Sequence, residues 1–168
     1  MAEQEDLDRV WDILEKTSVG MLTTQFSTQF EQGLRARPLQ HRPDRDAGLL
    51  HFVVDVHGHK DDEVAANRDV CFIVIEPDEK VYLSITGRAS VKHDAGKAAE
   101  IWKKTDDVWW KGGPNDPSVR VLTVEPITAE IWDGPSSKMI AAYEFAKARL
   151  TGTKPSLGEN RKKTVRMS

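Results

Sequence analysis

Five cations and four imidazoles fall between positions 35 and 60: Arg35, Arg37, Arg42, Arg45 and Lys60, with His41, His51, His57 and His59. Arg35 and Arg37 are two apart, so on a strand they share a face. Planar guanidinium forks near a lysine point charge suit a phosphate group. Lys60 stands where a helix after Gly58 should begin, and a helix start adds backbone N–H donors. The competing reading is a row of solvated arginines on an exposed strand. His57-Gly58-His59, with Asp55, Asp61 and Asp62 nearby, carries metal-ligating side chains. Gly58 marks a turn, however, and no third histidine lies at a familiar zinc spacing, so no metal site is expected. Gly112-Gly113-Pro114 lacks the Lys-Ser/Thr of a nucleotide loop and reads as a turn. Cys71 sits inside an apolar run, where a thiol is ordinarily packing, and no nucleophile elbow is present.

The tryptophans divide. Trp11 and Trp102 fit the apolar faces of helices, whereas Trp109-Trp110 and Trp132 fall in loops or at strand ends. There a large ring can stack on a planar ligand, although core packing is the commoner use.

The elements that must position these groups are mostly strands. Leu7, Val10, Trp11 and Leu14 recur at helical spacing and predict an amphipathic opening helix. Strands are expected over Val19–Gln25, Leu34–Leu39 and Leu49–Val54, and Val81–Val91 follows a Pro77–Lys80 turn. Val70–Ile75 is a continuous apolar run, suiting a strand covered on both faces. Val119–Val124 and Ile127–Trp132 read as two strands parted by Pro126. Shorter helices are expected over Lys60–Arg68, after Asp94, and over Ser136–Arg149. Antiparallel strands with helices at the margins point to a small β-barrel.

Length and composition bound the rest. A chain of 168 residues with 39% hydrophobic and 30% charged content has room for one globular domain and a short appendage. We assign 1–150 to the domain and 151–168 to a polar, basic and mobile tail. No apolar run approaches the roughly 20 residues of a membrane-spanning helix, so no membrane partner is expected. The acidic opening lacks secretory-signal character, and the single cysteine gives no disulfide framework, so a cytoplasmic address is expected. The net charge of −3 argues against a dedicated nucleic-acid binder.

Across Arg37 to Ala89 the motifs fall into a familiar order. Arg37-Pro38-Leu39 is followed by Phe52-Val53-Val54-Asp55, by His59-Lys60 at a helix start, by Asn67-Arg68-Asp69-Val70, and by Gly87-Arg88-Ala89. Ile131-Trp132-Asp133-Gly134 closes the series. Each motif alone is weak, but in this order the chain resembles the pyridoxamine phosphate oxidase-like proteins, and within them the general stress protein branch.

The resemblance implies a mainly β fold with marginal helices, a six-stranded antiparallel split barrel that binds FMN between two copies of a homodimer. Position by position, it implies that Arg37, Pro38 and Leu39 line the first flavin-contacting strand. Val53 and Val54 would lie against the ring system, Asp55 would belong to the same cofactor-binding set, and His59 and Lys60 would grip the phosphate. Tyr82 would reach the flavin from a neighbouring strand, and Trp132 from the partner subunit. Position 59 carries histidine where the family has arginine, a weaker and pH-dependent cation. After Trp132 the chain runs into a helix instead of an arginine-containing substrate segment, so vitamin B6 oxidation is not the activity implied. An FMN-dependent oxidoreductase acting on a small substrate is the leading expectation. A non-catalytic flavin carrier or redox sensor is the second, and a deazaflavin or haem binder the third.

Overall fold

A computed structural model describes residues 2–58, 60–133, 138–154 and 161–167. Helix α1 (Ala2–Lys16) precedes strands β1 (Val19–Ser27), β2 (Gln32–Gln40), β3 (Arg42–Asp44) and β4 (Leu49–Asp55). A single 3-10 turn (Val56–Gly58) leads to α2 (Lys60–Ala66), then β5 (Asp69–Glu76) and β6 (Val81–Lys92). Helix α3 (Ala95–Ile101), two further 3-10 turns, β7 (Val119–Asp133), α4 (Lys138–Thr151) and β8 (Arg161–Arg166) complete the chain.

The strands form one antiparallel sheet in the order β2-β1-β5-β6-β7-β4-β3, with β8 added to β7. β7 is long enough to pair with β6 along one edge while sharing its other edge between β4 and β8. The sheet coils without closing. Arg42 of β3 pairs with His51 of β4, but from Gln40 backwards the chain turns to pair with β1 instead. His41 is the point of divergence, and the split between β2 and β4 opens there. The fold expected from the resemblance is present. It has eight strands instead of six, β3 and β8 being the shortest.

Inside the coil lie Leu22, Leu50, Phe52, Phe72, Leu83, Ile85 and Leu122, all fully buried, with Phe52 and Phe72 edge to face at 5.1 Å. Val10, Ile13 and Leu14 of α1 close one end, as the helical spacing of that segment predicts. A second small core, Val53, Ala98, Trp110, Val119 and Val121, lies on the opposite side of β4 and β7 beneath α3. Asp94 caps α3 by accepting from the Lys97 N–H at 2.9 Å.

Three expectations are corrected. The apolar run of β5 is covered on one face only: Val70, Val74 and Phe72 point inward, while Ile73 and Ile75 are exposed beside Met21 and Tyr82. Position 126 does not divide two strands. β7 is continuous, and Pro126 is accommodated at a register shift opposite Gly87. The tail is not wholly mobile, since β8 pairs with residues 128–133 of β7 and buries Val165 and Met167 against the core. The start of the expected helix at Ser136 lies outside the described residues.

Candidate functional site

The split exposes two strand edges. β2 pairs only with β1, and the edge of β4 from Phe52 to Asp55 that faces away from β7 has no strand partner among the described residues. The residues on that edge are nonetheless inside the protein: Phe52, Val53 and Val54 are buried. Backbone N–H and C=O groups on an unpaired strand edge need partners.

Charge enters from α2. Arg35 and Arg37 share a face of β2 with Thr24 opposite Arg35 on β1, as their spacing predicts. They do not stand open as a fork. Glu63, with 6% of its side chain exposed, accepts from Arg35 Nη1 at 2.7 Å and from Arg37 Nη2 at 2.8 Å. Arg37 Nη2 also reaches the second carboxylate oxygen at 3.0 Å, and Arg37 Nη1 donates to Thr24 Oγ1 at 3.2 Å. The Thr24 hydroxyl in turn donates to Glu63. Arg35 also lies 4.4 Å over the Phe26 ring. Desolvation pushes the Glu63 carboxyl up, but the Arg37 and Thr24 hydrogen bonds and the two guanidinium charges outweigh it and hold it below its ordinary value.

At the end of β4, Asp55 is a clamp. Its Oδ1 accepts from the His57 N–H and pairs with His57 Nδ1, both at 2.8 Å, and its Oδ2 accepts from the Trp110 indole at 3.0 Å. Burial raises the carboxyl, and these three hydrogen bonds bring it below its usual range. The pair fastens the turn before α2 to the loop carrying Trp110. That indole is therefore packed and hydrogen-bonded, whereas its neighbour Trp109 is exposed. His57 is committed to Asp55.

The expected site residues thus fall into two groups. Arg37, Pro38 and Leu39 on β2 and Val53, Val54 and Asp55 on β4 border the split. Within it, Val53 faces the α3 side and Val54 the barrel core. Lys60 opens α2, one turn before Glu63, and its side chain lies outside the described residues, as does His59 altogether. Tyr82 and Trp132 are directly paired across β6 and β7, on the outer face of the sheet. Tyr82 sits three strands from β2 in the sheet order, roughly 14 Å at the usual strand spacing.

Glu63 and Trp110 are partners that sequence reading missed. A carboxylate in a helix's first turn is explained equally well by the helix dipole, so Glu63 carried no signal of turning inward. Trp110 differs from Trp109 only in where the loop sets it down.

A family model described as pyridoxamine 5'-phosphate oxidase like matches residues 5–156. A structure from Jannaschia sp. CCS1 named for general stress protein 26 is similar over 99% of this chain and 99% of its own, with 29% identity and a TM-score of 0.74. The general stress FMN/FAD binding protein of Xanthomonas citri is similar over 80% of this chain and 92% of its own, with 21% identity and a TM-score of 0.67. General stress protein 26 of Bacillus anthracis is similar over 74% of this chain and 92% of its own, with 17% identity and a TM-score of 0.63. The last two likenesses establish the fold. No curated protein matches.

Proposed function

The chain belongs to the pyridoxamine 5'-phosphate oxidase-like family, and from that premise we propose that it binds FMN in the split between β2 and β4 and serves as a flavin-dependent oxidoreductase. The observation that carries this reading is the edge of β4 at Phe52–Asp55, which has no strand partner among the described residues and lies across the split from β2 with its Arg35 and Arg37 cluster. Bound flavin would supply hydride or electron transfer; the chain supplies orientation and electrostatics. Lys60 is the phosphate-gripping residue in this reading, with His59 beside it.

A second copy of the chain completes the site in this reading. Tyr82 and Trp132 stand on β6 and β7, three and four strands from Arg37 on β2 in the sheet order. They border an exposed apolar surface of Met21, Ile73 and Ile75 on the outer sheet face. Such a surface is unusual on a lone soluble chain and suits a homodimer interface.

A non-catalytic flavin carrier or sensor is the alternative reading, and one experiment separates the two. The experiment is a visible spectrum of the purified protein with FMN, followed by anaerobic NAD(P)H. FMN bands and bleaching are expected of the oxidoreductase. Binding without bleaching by any nicotinamide donor assigns the carrier, and a protein that neither holds FMN nor quenches its fluorescence overturns the flavin reading. Lys60→Ala should weaken FMN more than riboflavin, since only FMN carries a phosphate.

A further inference from the structure

We propose that the pocket floored by His51, between β3, β4 and α3, is a ligand site of its own and takes an organic cation, a primary ammonium on a short apolar stem. The pocket has a volume of about 410 Å³, within the usual range for small-molecule sites. His51 alternates with Val53 along β4 and so faces α3, away from the barrel core. Its side chain is only 5% exposed. Nδ1 lies 3.0 Å from Thr123 Oγ1 on β7, and the opposite edge of the ring turns toward Asp44 and the pocket. There Nε2 has no hydrogen-bond partner among the described residues. Asp44 Oδ2 is 3.8 Å from it, too far for a direct hydrogen bond. Leaving such an atom unpaired in the interior is costly, and most buried polar atoms are paired.

The surrounding charges decide what this pocket accepts. Arg42 is committed to Asp106, and Arg45 is shared among Asp8, Asp12 and Glu15. Lys97 Nζ meets Glu100 at 3.0 Å but stops 3.9 Å from Asp44 Oδ2. Asp44 and Asp46 are left to set the sign of the pocket, and they repel an anion. Burial and then Lys97 hold the imidazole below its ordinary 6.5, so it is uncharged at neutral pH. With its proton on Nδ1 facing Thr123, Nε2 offers a lone pair. Two acceptors 3.8 Å apart are spaced for one shared donor, because an ammonium nitrogen can stand about 2.8–3.0 Å from both. Pro43 and Ile101 line the same pocket and give a carbon stem an apolar wall. A bare metal ion finds no ligand set, since no three His, Cys, Asp or Glu side chains among the described residues are grouped to hold one. Lys97 already mimics the ligand from within, as an ammonium on an alkyl stem beside Glu100 and Asp44.

The test is isothermal titration calorimetry of the full chain with putrescine, an aliphatic diammonium. Succinate and butanediol, which carry carboxylates or hydroxyls on a similar stem, are titrated separately. The wild type should bind putrescine with a dissociation constant of about 1 mM or tighter, and neither of the others measurably. Asp44→Asn should weaken putrescine at least about tenfold, the size of a charge-assisted hydrogen bond lost. His51→Phe keeps a ring on the floor but removes the acceptor, and should weaken it at least about fivefold. Lys97→Met keeps the stem, removes the competing ammonium and frees Glu100, so putrescine should bind at least about threefold tighter. Asp44 and Lys97 are not in the core, and their variants carry the test if His51→Phe fails to fold. Absence of putrescine binding by the folded wild type overturns the proposal, as does succinate or butanediol binding as well as putrescine. Undiminished affinity in Asp44→Asn or in a folded His51→Phe, or weaker putrescine binding in Lys97→Met, overturns it too. None of these outcomes bears on the flavin reading, which concerns the split.

Discussion

Arg42 and Asp106 meet end-on, with Arg42 Nη2 2.8 Å from each carboxylate oxygen and only 7% of each side chain exposed. Asp106 Oδ2 also accepts from the Lys103 N–H at 2.8 Å, and Arg42 donates to the Gln40 carbonyl at 2.8 Å. The pair therefore pins the loop after α3 to the residue that follows the split. Removing one partner strands the other charge in the interior. Asp106→Asn should cost about 3–5 kcal/mol, far more than an exposed ion pair. Urea denaturation checks this, and a loss under about 1 kcal/mol would mean that water reaches the pair.

Gly87 sits opposite Pro126 at the register shift between β6 and β7. A Cβ built on it would lie 2.6 Å from the Glu125 carbonyl oxygen and 2.7 Å from Val124 Cγ1. The obstacle is backbone at the Pro126 register shift, so it cannot swing aside. Gly87→Ala should destabilise by about 1–3 kcal/mol, the usual cost of overpacking. A thermal midpoint equal to that of the wild type would show that the bulge relaxes freely.

These two positions also show what could be read before the structure. Elements with a clean period were legible: the opening helix from Leu7, Val10 and Leu14, and β6 from its alternation. β5 misled because an apolar run has no period, so it could not report that Ile73 and Ile75 face outward. β7 misled because a proline ordinarily ends pairing, and only the partner glycine at 87 lets the ladder continue past it. The tail misled because β8 owes its order to the free edge of β7 and to α1, where Lys163 meets Asp6 at 2.6 Å, and nothing within 151–168 encodes that edge. In the arginine cluster, the shared strand face of Arg35 and Arg37 was legible in their spacing, but the closure of that fork by Glu63 is a contact between strand and helix that spacing does not contain.

Acid should weaken the fold in two steps. Burial pushes His41 below its ordinary 6.5, against the Leu14 carbonyl that its Nε2 approaches at 2.9 Å. Burial and then Lys97 lower His51 from the same value, opposed by Asp44 and Glu100. A histidine with a depressed folded pKa takes its proton more readily when unfolded. Its contribution is full above pH 6.5 and is lost as pH falls below that value and through the folded one. The second step belongs to Glu63 and Asp55, whose carboxyls are held below 4.5 and 3.8. Their stabilisation is present above those values and is lost as pH drops through the lowered ones. Urea midpoints should be flat from pH 8 to 7, fall below 6.5 and fall again below about 4. His41→Gln should flatten part of the first step and leave the second; an unchanged first step would clear His41 of it.

The outer face of the sheet separates the chain's own stability from its assembly. Ile73 is 39% exposed and Ile75 53%, and they adjoin Met21 and Tyr82 through the β1-β5-β6 ladders. Neither is among the residues of the barrel core. A charge placed there costs the lone chain little, since water already reaches the site, but would be buried unpaired if a second copy covers it. Ile73→Asp should therefore leave the isolated fold intact while halving the solution mass in analytical ultracentrifugation. Because Tyr82 and Trp132 would be withdrawn from the partner's groove with it, FMN affinity should fall at least about tenfold in the same variant, as expected when a site loses aromatic contacts. Loss of the assembly with undiminished FMN affinity would place the whole flavin site within one chain. Unchanged mass would show that this face is not where two copies meet.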